Sequence, residues 1–197
     1  MEENSFELVK RVLQLETQGI DITSQIVLLL IETVFVLVPG LLLLKKNKIT
    51  VRKLLYVYLL VIYLGIILSF TIFRRPAGSR EGIVNLYINL GFGLRGNTPS
   101  LWSSAFSVLN ILLFIPWGMI IYPLIQKKRR LVGVVLSTLI GTLTSVCIEC
   151  LQLITGTGMF EVTDMVTNTA GTFIGAVFIS ILLKNNRVGK TDESSHG

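Results

Sequence analysis

Five apolar runs, each long enough to cross a lipid bilayer, constrain this chain more than any other feature: residues 22–44, 54–73, 106–125, 131–154 and 162–183. A helix needs about 20 predominantly apolar residues to span the hydrocarbon core. In that medium each backbone N–H and C=O must find its partner inside the protein, so such runs fold as helices. Composition agrees: 51% of the 197 residues are hydrophobic, 15% are charged, and the mean hydropathy is +0.70. The expected fold is an all-α membrane protein, one bundle of five transmembrane helices over 22–183 with no room for a separate soluble domain. Residues 1–21 are polar and do not read as a cleavable signal peptide, which would begin basic and turn apolar at once. Phe6, Val9, Leu13 and Leu8, Val12, Leu15 recur there at helical spacing, and Asn4 with Glu7 fits a capping box. That segment reads either as an amphipathic helix on the membrane surface or as a solvated leader helix. Residues 184–197 are expected as a cytoplasmic tail, disordered from Lys190 onward.

The net charge of +6 is not spread as a nucleic-acid binder would spread it. Twelve of the 18 basic residues cluster at the ends of spans: Lys45, Lys46, Lys48, Arg52 and Lys53; Lys127, Lys128, Arg129 and Arg130; Lys184, Arg187 and Lys190. With five spans, all three clusters fall on one side, which the positive-inside rule makes cytoplasmic. The expected topology is N-out/C-in, with residues 74–105 and 155–161 outside. The longer outer loop also carries Arg74, Arg75, Arg80 and Arg95, and its middle, 83–92, is too apolar for a free loop. It is expected to associate with the membrane, as an interfacial anchor or as a lid.

On that topology the polar residues inside the spans gather at one depth. Glu149 and Gln152 share a face near the outer end of the fourth span, with Ser145 a turn below, and Asp164 and Asn168 share a face near the outer end of the fifth. Asn110 sits about one turn into the third span, and Arg74 and Arg75 cap the second. Ionisable groups in a membrane cost several kcal/mol when unpaired, so they mark functional sites by default. The bland readings are that Asp164 complements a helix dipole and that Asn and Gln hold helices together. Other features carry less. Cys147-x-x-Cys150 lies on a continuous helix without further Cys or a nearby His, since His196 is in the tail; no metal site and no cofactor are expected. Gly171-x-x-x-Gly175 reads as a close-packing face. Glu32, near the middle of the first span, stays unassigned.

Three blocks then resemble the VanZ-like family of bacterial membrane proteins. Asn110 through Pro116 to Gly118 is similar to the family's N-x-L-L-F-x-P-F/W-G segment. Glu149-x-x-Gln152 matches its E-x-x-Q, and Asp164-x-x-x-Asn168-x-x-Gly171-x-x-x-Gly175 matches its D-x-x-x-N-x-x-G-x-x-x-G. Three departures stand out: no Arg precedes Asp164 between Gly156 and Glu161, Thr163 replaces the usual acidic neighbour, and the usual N-L-x-P-F of the outer loop is reduced to Asn89-Leu90-Gly91-Phe92. Any charge network must then draw on Arg74, Arg75 or Arg80. The resemblance implies a cell-envelope role in the bacterial plasma membrane, lowered susceptibility to teicoplanin-type glycopeptides being the best-known phenotype. Joined to the residue reading, it suggests an outer-leaflet site that binds or modifies an amphiphile. The amphiphile is a membrane lipid, a lipid-linked cell-wall precursor or the lipoglycopeptide itself. If chemistry occurs there, Glu149 or Asp164 is the acid or base. Gln152, Asn168, Asn110, Arg74 and Arg75 bind the substrate, an arginine holding an anionic headgroup. The alternatives are a non-catalytic membrane adaptor, a lipid transporter, or polar groups that only pin helices.

Overall fold

The computed structural model describes residues 5–93, 100–125 and 129–193, with side-chain surroundings for 7–93, 100–125 and 129–183. Asn4, Arg95, Lys127, Lys128 and His196 therefore lie outside the described residues. A short helix α1 (Ser5–Thr17) precedes five long ones: α2 (Ile22–Lys45), α3 (Val51–Leu68), α4 (Leu101–Ile125), α5 (Arg130–Thr155) and α6 (Val162–Glu193). Among the described residues these five are long and apolar enough to cross a membrane, α3 counted through Phe73 and α6 through Leu183.

The long helices begin where local chemistry allows. Asp21 accepts from the Ser24 backbone and hydroxyl (2.8 and 2.7 Å) to start α2, and Thr50 accepts from the Lys53 N–H to start α3. Helix α4 starts at Leu101, five residues before the expected Phe106, because the Ser100 hydroxyl accepts from the Ser103 N–H (3.3 Å) and so caps an earlier turn. Helix α6 continues to Glu193, so residues 190–193 are helical where disorder was expected. No proline follows Leu183, and extending an existing helix costs far less than nucleating one.

Helices α4 and α6 make the most extensive contact, with α5 against α6 next. A Cβ added at Gly118, Gly171 or Gly175 would strike backbone of the facing helix, so the two chains approach as closely as Gly permits. That is the close-packing role read from the Gly171 and Gly175 spacing. Ile67, Phe114, Trp117, Ile121 and Ile148 fill the centre between α3, α4 and α5. Helix α2 lies at the periphery against α3, with Phe35 76% exposed on its outward face. Glu32 leans on Gly65 of α3, where any Cβ would collide with its carboxyl. Cys147 and Cys150 are unpaired and exposed.

The chain segments that join one end of the bundle pack on each other. Helix α1 buries Leu8 and Val12 and contacts α4. Leu8 and Val12 thus have protein as their partner, while Val9, Leu13 and Leu15 stay exposed. The long loop after α3 is strapped to the α5–α6 turn. A two-residue strand β1 (Val84–Asn85) pairs in parallel with β2 (Phe160–Glu161). Gly78 N–H donates to Thr155 O (3.0 Å) and Arg80 N–H to Gly156 O (2.7 Å). The Thr163 hydroxyl accepts from Asn89 N–H and donates to Tyr87 O, both at 3.0 Å. These bonds satisfy the loop's backbone with protein partners, while Ile83, Val84, Leu86 and Tyr87 stay exposed.

Candidate functional site

At the end of α3 the helix widens into a π-helical turn, Ser69–Phe73, with the i→i+5 bond from Arg74 N–H to Ser69 O at 3.2 Å. A π turn shifts the backbone ladder and leaves carbonyls free for side chains. Two are taken at once: Arg74 Nε donates to Phe70 O, and Gln152 Nε2 on α5 donates to Thr71 O (3.0 Å). Helix α5 ends at Thr155, and Gly156 follows it with a left-handed φ of 64° that closes the cap. The chain then returns to start α6 with Asp164 in its first turn.

Between these elements lies a cavity of about 870 Å³. Its polar lining includes Glu16, Arg74, Arg75, Arg80, Asn110, Gln152, Glu161 and Asp164, and its apolar lining includes Leu15, Phe70, Phe73, Phe106 and Met159. Five of the seven residues singled out in the sequence, Asn110, Gln152, Asp164, Arg74 and Arg75, thus face one space. Asn110 on α4 and Asp164 on α6 line it from neighbouring helices. The other two lie beneath. Glu149 is 1% exposed, and its Oε2 accepts from the Glu161 N–H (2.8 Å), tying α5 to β2. Asn168 is 4% exposed, and its Nδ2 donates to Ser145 Oγ (2.9 Å) while its Oδ1 has no partner among the described residues.

The arginines divide their work. Arg74 is committed to protein: besides Phe70 O, it donates to Leu15 O (2.6 Å) and to Glu16 (2.8 Å), and so fastens α1 to the end of α3. Burial, against the attraction of Glu16, holds its guanidinium below the ordinary value. Arg75 makes a long bond to Thr157 O (3.4 Å) and lines the cavity. Burial and then the neighbouring Arg74 and Arg80 lower it as well, with Glu16 and Asp164 opposing. A guanidinium so placed is a ready receptor for an oxyanion. Among the described residues no group of three His, Cys, Asp or Glu side chains could hold a metal ion.

Glu16 is a cavity residue that sequence reasoning missed. It is one of several carboxylates in an amphipathic helix, and only the docking of α1 distinguishes it. Glu161 was visible in the sequence as a neighbour of Asp164, but its backbone contact with Glu149 depends on the β1–β2 pairing.

Searches of the curated proteins and of the solved structures found no match. Residues 54–183, well over half of the chain, match the sequence profile of VanZ/LLP1. That span begins in α3 and includes all seven of the residues named from the sequence. This multi-pass helical protein belongs to the VanZ/LLP1 family.

Proposed function

We propose that this protein acts in the bacterial cell envelope, lowering susceptibility to teicoplanin-type glycopeptides by binding or modifying a lipid-linked amphiphile at the cavity. One observation carries the reading: a cavity at one end of the bundle joins carboxylate, amide and guanidinium groups to an aromatic and aliphatic wall. A polar headgroup with an apolar tail matches that division, and a volume of about 870 Å³ lies within the range of small-ligand sites. On the positive-inside assignment this end faces outward, where wall precursors and glycopeptides are found.

In this reading Arg75 holds the headgroup, and Asn110 and Gln152 orient it beside Asp164. Glu149 and Asn168 support the floor. If a reaction follows binding, Asp164 is the carboxyl with access to the ligand, and Glu149 holds the backbone of Glu161, which leads into α6 just before Asp164.

Native mass spectrometry of the purified protein tests binding without presupposing catalysis. The wild type should retain an amphiphile that Asp164→Asn and Arg75→Gln release. A host carrying Asp164→Asn at wild-type abundance should lose tolerance to teicoplanin. Full tolerance in both Asp164→Asn and Glu149→Gln would remove the site from the mechanism.

A further inference from the structure

The opposite end of the bundle has a smaller concavity of its own, about 280 Å³, between the start of α3 and the ends of α4 and the apolar part of α6. Arg52, Lys53 and Tyr56 form one side, and Pro123, Ile125 and Leu183 form the other. The Arg52 and Lys53 side chains have no hydrogen bond or ion pair among the described residues. Their nearest sequence neighbours do not neutralise them either, because no Asp or Glu occurs in 33–80 or in 82–148. Lys45, Lys46, Lys48, Arg129 and Arg130 add to the same end. Among the described side chains no carboxylate lies at this end, and its cations call for an anionic partner.

We propose that this concavity seats the headgroup of an anionic phospholipid. The phosphate lies against Arg52 and Lys53, with the Tyr56 hydroxyl as a further donor. The first methylenes of the acyl chains lie on Pro123, Ile125 and Leu183. Basic pockets between transmembrane helices recognise anionic headgroups in this way, the cations supplying attraction and the apolar wall confining the lipid to one seat. The site is separate from the larger cavity and does not depend on its function.

The test uses the full chain in nanodiscs containing phosphatidylglycerol and phosphatidylcholine, read by native mass spectrometry after detergent release. The expected result is one retained phosphatidylglycerol and no retained phosphatidylcholine. Arg52→Gln with Lys53→Gln should weaken retention about 30-fold, taking each surface cation as worth about a factor of five. Leu183→Trp, which fills the apolar half and leaves every charge in place, should also expel the lipid. Removing the neighbouring charges with Lys45→Gln, Lys46→Gln and Lys48→Gln should leave it bound, and excess inorganic phosphate should not displace it. Melting profiles matched to wild type establish that the variants fold. Equal retention of both lipids, an unaffected Leu183→Trp, equal loss on removing the three lysines, or displacement by phosphate alone would each overturn the proposal.

Discussion

Gly171→Ala should damage both the packing of the bundle and the cavity above it. The added Cβ would press on the Ile111 carbonyl oxygen and lie 3.0 Å from both the Ile111 carbonyl carbon and Phe114 Cβ. Ordinary contact begins at 3.4 Å, so α4 and α6 must separate by at least several tenths of an ångström. Backbone on one side cannot rotate away as a side chain would, and overpacking of this kind costs about 1–3 kcal/mol. At about 2–4 °C per kcal/mol for a chain of this size, the melting temperature should fall by roughly 2–12 °C. Ile111 is adjacent to Asn110, and Gly171 is one turn from Asn168, so the separation also shifts the cavity wall formed by Asn110 and Asp164. Amphiphile retention should therefore fall with stability. Gly133→Ala is the control: its Cβ would meet the edge of the Tyr122 ring at 2.9 Å, a side chain that can move, and should cost less. The assay is thermal unfolding of both variants in one detergent, with native mass spectrometry alongside. A Gly171→Ala protein with unchanged melting temperature and full retention would refute the close-approach argument.

Substitutions at three further positions probe individual side chains. Arg74→Gln should release α1, since it removes the bonds to Leu15 O and Glu16, and charged hydrogen bonds contribute about 1.5–3 kcal/mol each; faster hydrogen exchange over residues 8–17 would register it. Glu149→Gln keeps an acceptor for the Glu161 N–H and should fold, whereas Glu149→Leu leaves that donor unpaired and should cost about 1–3 kcal/mol in thermal unfolding. Thr163→Val removes both bonds that hold residues 87–89, so limited proteolysis should cut the loop faster while the five spans stay intact.

Much of the architecture was legible because the bilayer leaves few choices. Runs of about 20 or more apolar residues must be helices, and the placement of Glu149, Gln152, Asp164, Asn168 and Asn110 follows from helical periodicity once the spans are ordered. The Gly171 and Gly175 spacing likewise announced close packing. The role of Arg74 was not legible, because a guanidinium at a span end looks the same whether it faces a ligand or a carbonyl of α1. The π turn that frees Phe70 O and Thr71 O has no sequence signature either.

The sequence alone determined the five spans, their order and the faces on which the polar residues lie, since these rest on local hydrophobicity and helical geometry. Only the tertiary structure decided which groups meet. It placed α1 over the end of α3, committed Arg74 to that contact, left Arg75 facing the cavity and put Glu149 and Asn168 beneath its floor. Those outcomes depend on contacts between residues far apart in the chain, such as Arg74 with Glu16, or on backbone paired by a distant strand, such as Glu161 with Glu149. Local periodicity carries no information about them.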